Sequence, residues 1–460
     1  MERGFPKLSF IIVLLTVSLC GFVSFGSVSE LETRLNKATE GIGIDYGIGV
    51  VSLDKKELLF EKWIEKPLNP ASVTKLITTA AALKYLGPDH RFPTYFYKIG
   101  EDLFVRGEGD PSLVVEDMKE IVQELKGRGV CNIRNIVFDD SFFADYAQPG
   151  LEKGPPEFYT GALSLNFNRV NAKIVGRTKG VIDLILDAGE GVEIEAEKKL
   201  IALGRRGRAV VTMKAFEDKR GWHFLVSGSV PSSVREFELK AELPSLYFSL
   251  ALASLLKSSG CLVSGGIYEG LAPQGARPVF VHYSKPISSI IADMNKFSNN
   301  MIADQLVKYM GARLIGAPGT IEKGISILKR YLSSIGVSKD SILVNGSGLS
   351  YQTRVSPIAF LTVIYDMYRN KGLWGPFYDS LSIAGHDGTM RHRYRYTELD
   401  GILRAKTGTV AGVRAIAGVV PSRSGEMLAY VVILNGSGAA GKKDIMDEVA
   451  HAAFEFTRGR

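Results

Sequence analysis

Apolar residues along the chain follow two spacings, one typical of helices and one typical of strands. Helical spacing occurs in the segments 31–38, 76–83, 246–256, 287–296, 321–332 and a C-terminal stretch with Ile445, Val449 and Phe456 on one face. Strand-like runs cover 46–63 as a hairpin, 181–186, 209–213, 222–226, and 406–420 followed by its hairpin partner 427–434. The two ends of the chain therefore predict an α+β fold, in which an antiparallel sheet built from both ends is flanked by helices.

The first residues have the pattern of a secretory signal. Arg3 and Lys7 precede the uncharged apolar stretch 8–25, and the small residues Ser24 and Gly26 suit a cleavage site. Residues 1–26 are therefore predicted to be a signal peptide that exports the protein to the periplasm or the outside of the cell. The stretch is just long enough to stay in the membrane as an uncleaved anchor, so peripheral membrane association is left open.

The length of 460 residues predicts two or more compact units, and the composition, 45% hydrophobic and 23% charged, is ordinary for a folded protein. A net charge of +7 suits weak attraction to anionic wall polymers or lipid head groups, and no nucleic-acid partner is expected for an exported chain. The histidine and cysteine spacings match no metal-ligand motif, so neither a metal nor a cofactor is predicted. Cys131 and Cys261 permit one disulfide, although two small buried thiols are the simpler interpretation.

Four S-x-x-K strings begin at Ser52, Ser72, Ser254 and Ser326, and their positions separate them. A nucleophilic serine belongs at the start of a helix, where free backbone N–H groups and the helix dipole face the reacting group. Ser72 follows Pro70 and precedes the helical segment 76–83. Ser254 and Ser326 lie inside helical segments, and Ser52 precedes a hairpin turn. Ser72 is therefore the predicted nucleophile.

The spacing of Ser72 and Lys75 has a direct chemical meaning. Residues three apart on a helix share a face, so the Lys75 amine can reach the Ser72 hydroxyl as a general base. Lys75 can do so only when neutral, whereas an ordinary lysine is protonated at neutral pH. Burial beside a second cation lowers a lysine pKa, and Lys406 is the obvious second cation.

Two further strings complete the S-x-x-K, S-x-N and K-T-G set of serine acyl-transfer enzymes. The string 298–300 reads Ser-Asn-Asn and follows the helical segment 287–296, although 164–166 matches the same S-x-N pattern. The string 406–409 reads Lys-Thr-Gly-Thr and occurs once. Gly408 in such a strand would let a substrate or another backbone approach closely.

With these strings the chain resembles the class C low-molecular-mass penicillin-binding proteins, the D-alanyl-D-alanine carboxypeptidases and endopeptidases of peptidase family S13. The resemblance covers nearly the whole mature chain, and Asn345 departs from it where the family usually has aspartate. It makes Ser164 part of a structural string and leaves Ser298 as the S-x-N serine. Further strings in the family's order are 107–111, 162–168, 346–350 and 385–389.

The resemblance implies catalytic roles for four side chains. Ser72 would be the acylated nucleophile and Lys75 its base. Ser298 would relay a proton to the leaving group, with Lys406 beside it. The implied substrates are peptidoglycan stem peptides that end in D-Ala-D-Ala, and β-lactam antibiotics would be covalent inhibitors.

The resemblance also implies how the substrate would be held. Asn300 would bind the peptide amide, and Thr407 and Thr409, which flank Gly408, would bind the terminal carboxylate. The backbone N–H groups of Ser72 and Thr409 would form the oxyanion hole.

The long interval between Ser72 and Ser298 predicts a large insertion, because a compact transpeptidase-like domain needs far fewer residues between its first two motifs. We expect a transpeptidase/β-lactamase-like catalytic domain from 27–91 plus 237–460. The strand-rich inserted region would be 92–236, and the family resemblance implies two nested domains there.

Two other functions share these motifs. A β-lactamase uses the same trio but hydrolyses its acyl-enzyme fast, and disposal of a small antibiotic needs no large insertion. A wall-binding module could keep the fold without catalysis. The sequence does not separate carboxypeptidase from endopeptidase activity, since both cleave an amide after a D-residue.

Overall fold

The protein is described from a computed structural model over residues 28–144, 157–178, 180–204 and 208–458. Its helices are α1 (Val28–Ala38), α2 (Lys75–Leu86), α3 (Val115–Gly127), α4 (Pro244–Ser258), α5 (Ile287–Lys296), α6 (Asn300–Leu314), α7 (Ile321–Ser334), α8 (Pro357–Arg369), α9 (Lys371–Ser380) and α10 (Lys443–Glu455). The helices predicted from apolar spacing are all confirmed. Within these ranges, no helix has the length and apolar character needed to cross a membrane. The predicted signal peptide lies outside the described residues.

Strands occur in every strand-like run that the sequence predicts. They are β1 (Asp45–Ser52), β2 (Glu57–Lys62), β3 (Pro93–Ile99), β4 (Asp102–Gly107), β5 (Asn132–Ile133), β6 (Ile136–Asp139), β7 (Arg169–Thr178), β8 (Val181–Asp187), β9 (Glu197–Leu203), β10 (Val210–Asp218), β11 (Gly221–Pro231), β12 (Glu236–Lys240), β13 (Leu262–Val263), β14 (Ile267–Glu269), β15 (Phe280–Tyr283), β16 (Ser382–Ile383), β17 (Arg404–Val410), β18 (Val413–Pro421) and β19 (Met427–Asn435).

One strand prediction is wrong in detail. The run 406–420 is not a single strand but the end of β17 and most of β18, joined by a tight turn. Gly412 in that turn has φ +73°, a left-handed conformation that glycine adopts without steric cost. The apolar residues on either side hide the turn from a pattern based on hydrophobicity alone.

The chain forms two compact units. Within the described residues, the first unit contains 28–88, 291–300 and 325–458. Its sheet has the strand order β16-β17-β18-β19-β1-β2, and every neighbouring pair is antiparallel. This confirms the predicted antiparallel sheet assembled from both ends of the chain.

Helices cover both faces of this sheet, as the alternation of side chains along β1 shows. Ile48 and Val50 point into a core that α1 and α10 complete. On the opposite face, a Cβ at Gly49 would lie 2.7 Å from a Leu361 methyl carbon of α8. Glycine on that face therefore lets α8 pack directly against the strand.

The second unit contains the described residues of 89–290 and 301–324. Its sheets have the orders β10-β11-β9-β8-β7-β12, β14-β6-β4-β3-β15 and β13-β5. From the sequence, 237–290 and 301–324 are assigned to the catalytic domain, but both segments belong to this unit. Strand β12 pairs with β7, and Leu246, Tyr247 and Phe248 of α4 are fully buried in this unit's core. Apolar spacing identifies such a helix but not the core that it joins.

Cys131 and Cys261 form a disulfide within the second unit. The simpler interpretation of two separate buried thiols is therefore wrong. Backbone hydrogen bonds lie next to the disulfide. The Leu262 backbone N–H donates to the Cys131 carbonyl oxygen at 2.9 Å, and β13 pairs with β5. Cysteines so far apart in sequence carry no local signal of pairing.

Candidate active site

Ser72 lies in a 3₁₀ turn, Ala71–Thr74, that leads directly into α2. Ala71 has φ +45°, an uncommon conformation for a residue with a side chain. Its backbone N–H donates to Asn69 Oδ1 at 2.8 Å, and its carbonyl oxygen accepts from Thr74 Oγ1 at 2.8 Å. These bonds hold the turn that presents Ser72, whose position at the start of a helix is the one the sequence predicts.

Lys75 is fully buried, and its amine faces three oxygen atoms. Lys75 Nζ lies 3.0 Å from Ser72 Oγ, and it donates to Asn300 Oδ1 at 2.7 Å and to the Ser347 carbonyl oxygen at 2.8 Å. A neutral amine has two N–H donors and one lone pair. A neutral Lys75 that directs these two donors to the Asn300 and Ser347 oxygens would direct its lone pair to the Ser72 hydroxyl.

Lys406 is also fully buried and contacts the S-x-N serine. Lys406 Nζ donates to Ser298 Oγ at 3.0 Å and to the Thr407 carbonyl oxygen at 2.7 Å. Ser298 has φ +55° in the bend between α5 and α6, so its hydroxyl is placed by a strained backbone. Burial first, and then repulsion from Lys75 whenever Lys75 is protonated, hold the pKa of Lys406 well below its usual range.

This lowered pKa predicts how stability depends on pH. Between the folded-state pKa of Lys406 and the ordinary lysine pKa, the unfolded chain binds more protons than the folded protein, so the free energy of unfolding rises with pH. Lys406→Met removes this contribution. We expect the wild-type free energy of unfolding, relative to that of the variant, to increase as the pH is raised above neutrality. Urea unfolding of both proteins at a series of pH values measures the difference, and a constant or shrinking difference would contradict the prediction.

Strand β17 passes close to the Ser72 turn. A Cβ at Gly408 would lie 2.5 Å from the Pro70 carbonyl oxygen and 3.1 Å from the Ser72 nitrogen, so only glycine allows this approach. In the described chain, β16 pairs with β17 at Arg404 and Ala405 alone. The rest of β17 has a strand partner on one side, and an extended peptide could pair with the other side.

The structure thus places Ser72 beside Lys75 and Asn300, and Ser298 beside Lys406, all in the first unit. The competing strings have other surroundings. Ser164 is buried in the second unit, where its hydroxyl donates to the Gly161 carbonyl oxygen at 3.2 Å. Ser254 and Ser326 lie within α4 and α7, and the Ser52 hydroxyl accepts from the Lys55 backbone N–H at 3.0 Å in the β1–β2 turn.

Sequence reasoning missed the residues that support this site. The string 346–350 resembles a family string. Its contacts with Lys75 and the Ser72 turn, however, cannot be predicted from any local sequence pattern. Gly348, with φ +75°, lies against the turn so closely that a Cβ would be 2.0 Å from the Ala71 carbonyl oxygen. Asn345 is buried, and its Oδ1 accepts from the Gly348 backbone N–H at 2.9 Å. The hydrogen bond from Gly348 needs an acceptor oxygen at position 345, which asparagine supplies without the negative charge of the family's usual aspartate.

Among the described residues, no group of three or more histidine, cysteine, aspartate or glutamate side chains is arranged to hold a metal ion.

The fold and the gathered motifs define a penicillin-binding type of serine acyl-transfer enzyme. The model of the D-Ala-D-Ala carboxypeptidase 3 (S13) family matches residues 28–455, and the chain belongs to this family.

Individual relatives agree with this assignment. A D-alanyl-D-alanine carboxypeptidase of Actinomadura sp. strain R39 is 30% identical over 472 aligned positions, which cover 93% of this chain and 85% of the relative. The D-alanyl-D-alanine carboxypeptidase DacB of Haemophilus influenzae is 24% identical, covering 89% and 88%. The crystal structure of penicillin-binding protein 4 (dacB) from Haemophilus influenzae has a similar fold, with a TM-score of 0.72 at 22% identity over 94% of this chain and 99% of that chain.

Proposed function

We propose that the protein is a serine-type D-alanyl-D-alanine carboxypeptidase that acts on peptidoglycan stem peptides through an acyl-enzyme at Ser72. The observation that carries the proposal is the buried Lys75 amine, 3.0 Å from Ser72 Oγ and oriented by the oxygens of Asn300 and Ser347. Membership of the S13 family and the carboxypeptidase relatives support the substrate class.

In the first half of the reaction, Ser72 Oγ attacks the carbonyl carbon of the penultimate D-alanine while the Lys75 amine accepts its proton. The backbone N–H groups of Ser72 and Thr409 stabilise the negative charge on the carbonyl oxygen. The proton that Lys75 has accepted is returned through Ser298, whose hydrogen-bond partner is Lys406, to the leaving nitrogen, so that Lys75 is neutral again. The C–N bond breaks, D-alanine leaves, and the remaining peptide is esterified to Ser72.

Substrate binding would use the open side of β17. Asn300 donates to the peptide carbonyl from its amide NH₂ group, since its Oδ1 accepts from Lys75. Thr407 and Thr409 face the terminal carboxylate, and Gly408 keeps the strand close to Ser72. The extended substrate would lie along the strand in the manner of an added β-strand.

In the second half, water hydrolyses the ester, with Lys75 again positioned to accept a proton. A β-lactam is an analogue of the same peptide and would acylate Ser72, but its product would leave slowly because the broken ring keeps the leaving group attached. Haemophilus influenzae penicillin-binding protein 4 has been crystallised in complex with a β-lactam. We propose covalent penicillin binding for this protein on the same chemical grounds.

We also propose that the protein works outside the cytoplasm, in the periplasm or beyond. The Cys131–Cys261 disulfide supports this location, because disulfides persist mainly in oxidising compartments. The N-terminal pattern of Arg3, Lys7 and the apolar stretch 8–25 supports an export signal.

Mass spectrometry of purified muropeptides after digestion tests the proposed activity. We expect the loss of one alanine from stem peptides that end in D-Ala-D-Ala. Opening of cross-linked dimers would add DD-endopeptidase activity, which we propose as a second reaction of the same site. No alanine release, or many turnovers of penicillin per second, would contradict the proposal, and rapid penicillin turnover would identify a β-lactamase.

A further inference from the structure

Thr389 lies at the edge of the site and carries an exposed hydroxyl. The proposed reaction gives this hydroxyl no role. Thr407 Oγ1 donates to Thr389 Oγ1 at 2.8 Å, and both side chains reach solvent. Thr389 lies in the string 385–389, which the sequence analysis singles out without assigning it a function. We call these two side chains the Thr389–Thr407 hydroxyl pair.

The backbone around Thr389 is anchored to the end of α5. Asp387 Oδ2 accepts from Lys296 Nζ at 2.6 Å, and Asp387 Oδ1 accepts from the Ile383 backbone N–H at 2.7 Å. Gly388, with φ +51°, lies so close that a Cβ would be 2.6 Å from the Lys296 carbonyl oxygen. The segment is therefore held two residues from Ser298, and the position of Thr389 beside β17 is built into the fold.

We propose that Thr389 acts with Thr407 to recognise the C-terminal carboxylate of the substrate. The inference rests on the proposed function and adds Thr389 to the residues that would bind the substrate. Each hydroxyl has one proton, and one proton of the pair is used in the bond between them. In either orientation of that bond, one O–H is left to donate to a carboxylate oxygen.

The pair is a hydrogen-bond donor site on a fixed backbone. Lys406 Nζ donates to the carbonyl oxygen of Thr407, the residue that carries half of the pair. A hydrogen bond from a hydroxyl to a carboxylate is charge-assisted and is stronger than one between neutral groups. Because Thr389 fixes the rotamer of Thr407, loss of its hydroxyl would remove a donor and also free Thr407 to turn away. Thr389 would therefore determine specificity for a free carboxylate rather than the rate of bond cleavage.

Two thioester substrates that differ in one charge provide the test. Both carry the same acyl-D-alanyl group. One has thioglycolate as its leaving group, with a free carboxylate, and the other has the neutral methyl ester of thioglycolate. For Thr389→Val we expect kcat/KM on the carboxylate substrate to fall roughly tenfold to a hundredfold, mainly through KM. The neutral substrate should react at the wild-type rate within about twofold, and Thr389→Ser should restore the preference for the carboxylate.

The outcomes test the role of Thr389 separately from the proposed carboxypeptidase function. Equal losses on both substrates would show a general structural role for Thr389, and no loss on either would show no role, so both results would overturn the inference. D-alanine release from an acyl-D-Ala-D-Ala peptide is measured alongside. If the wild type reacts with the thioesters but releases no D-alanine, the proposed function fails while the carboxylate preference is still reported.

Discussion

Replacement of Lys75 by alanine is expected to slow acylation of Ser72 by roughly 10³-fold or more, because it removes the proposed general base. Lys75 Nζ is 3.0 Å from Ser72 Oγ, within reach of the hydroxyl proton. The measurement is the rate of covalent labelling by a fluorescent penicillin, followed over time at saturating concentration. An acylation rate within about tenfold of wild type would show that Lys75 is not the base.

Two further variants separate proton transfer from other roles of Lys75. Lys75→Arg keeps a positive charge but cannot supply a neutral amine, so we expect it to be as slow as Lys75→Ala. Lys84→Ala removes an exposed lysine from the same helix and should label at the wild-type rate. Because Lys75 is buried, thermal unfolding of each variant verifies that the loss of labelling is not a loss of fold. An active Lys75→Arg variant would point to charge rather than basicity.

Gly408→Ala is expected to lower the acylation rate at least about a hundredfold while leaving the protein folded. A Cβ at this position would lie 2.5 Å from the Pro70 carbonyl oxygen, a contact that must move β17 or the Ser72 turn. A displacement of about 1 Å between nucleophile and substrate can cost about a hundredfold in rate. The same penicillin labelling assay, with circular dichroism as a measure of folding, tests this expectation.

The matched control for this substitution is Gly441→Ala. Gly441 belongs to the same unit, and a Cβ there would meet no atom within 4 Å. We expect this variant to label at the wild-type rate. Wild-type labelling by Gly408→Ala would show that the close approach of β17 to the Ser72 turn is not needed for acylation.

Local patterns predicted much of the fold and the core of the site. Ser72 and Lys75 are three residues apart on one helix, so their contact follows from helical geometry. The antiparallel sheet follows from strand-like runs at both ends of the chain. These features depend on residues close together in sequence, where spacing has a direct structural meaning.

Features that depend on distant residues could not be predicted in this way. The Ser347 carbonyl oxygen reaches Lys75 across a sequence separation of 272 residues, and Thr389 meets Thr407 through a segment anchored on Lys296. The Cys131–Cys261 disulfide joins residues 130 apart in sequence. Helix α4 shows the same limit, since its apolar pattern predicted a buried helix but could not show that it packs in the second unit.

The central claim is that Ser72 is the acylated residue, and the site of penicillin attachment tests it most directly. Trypsin should release 63–75 as one peptide, because Lys66 is followed by Pro67, and Ser72 is the single serine in that peptide. Tandem mass spectrometry of the penicillin-treated protein should place the added mass on Ser72 and not on Thr74. A penicillin adduct on any other residue, with the 63–75 peptide unmodified, would contradict the account.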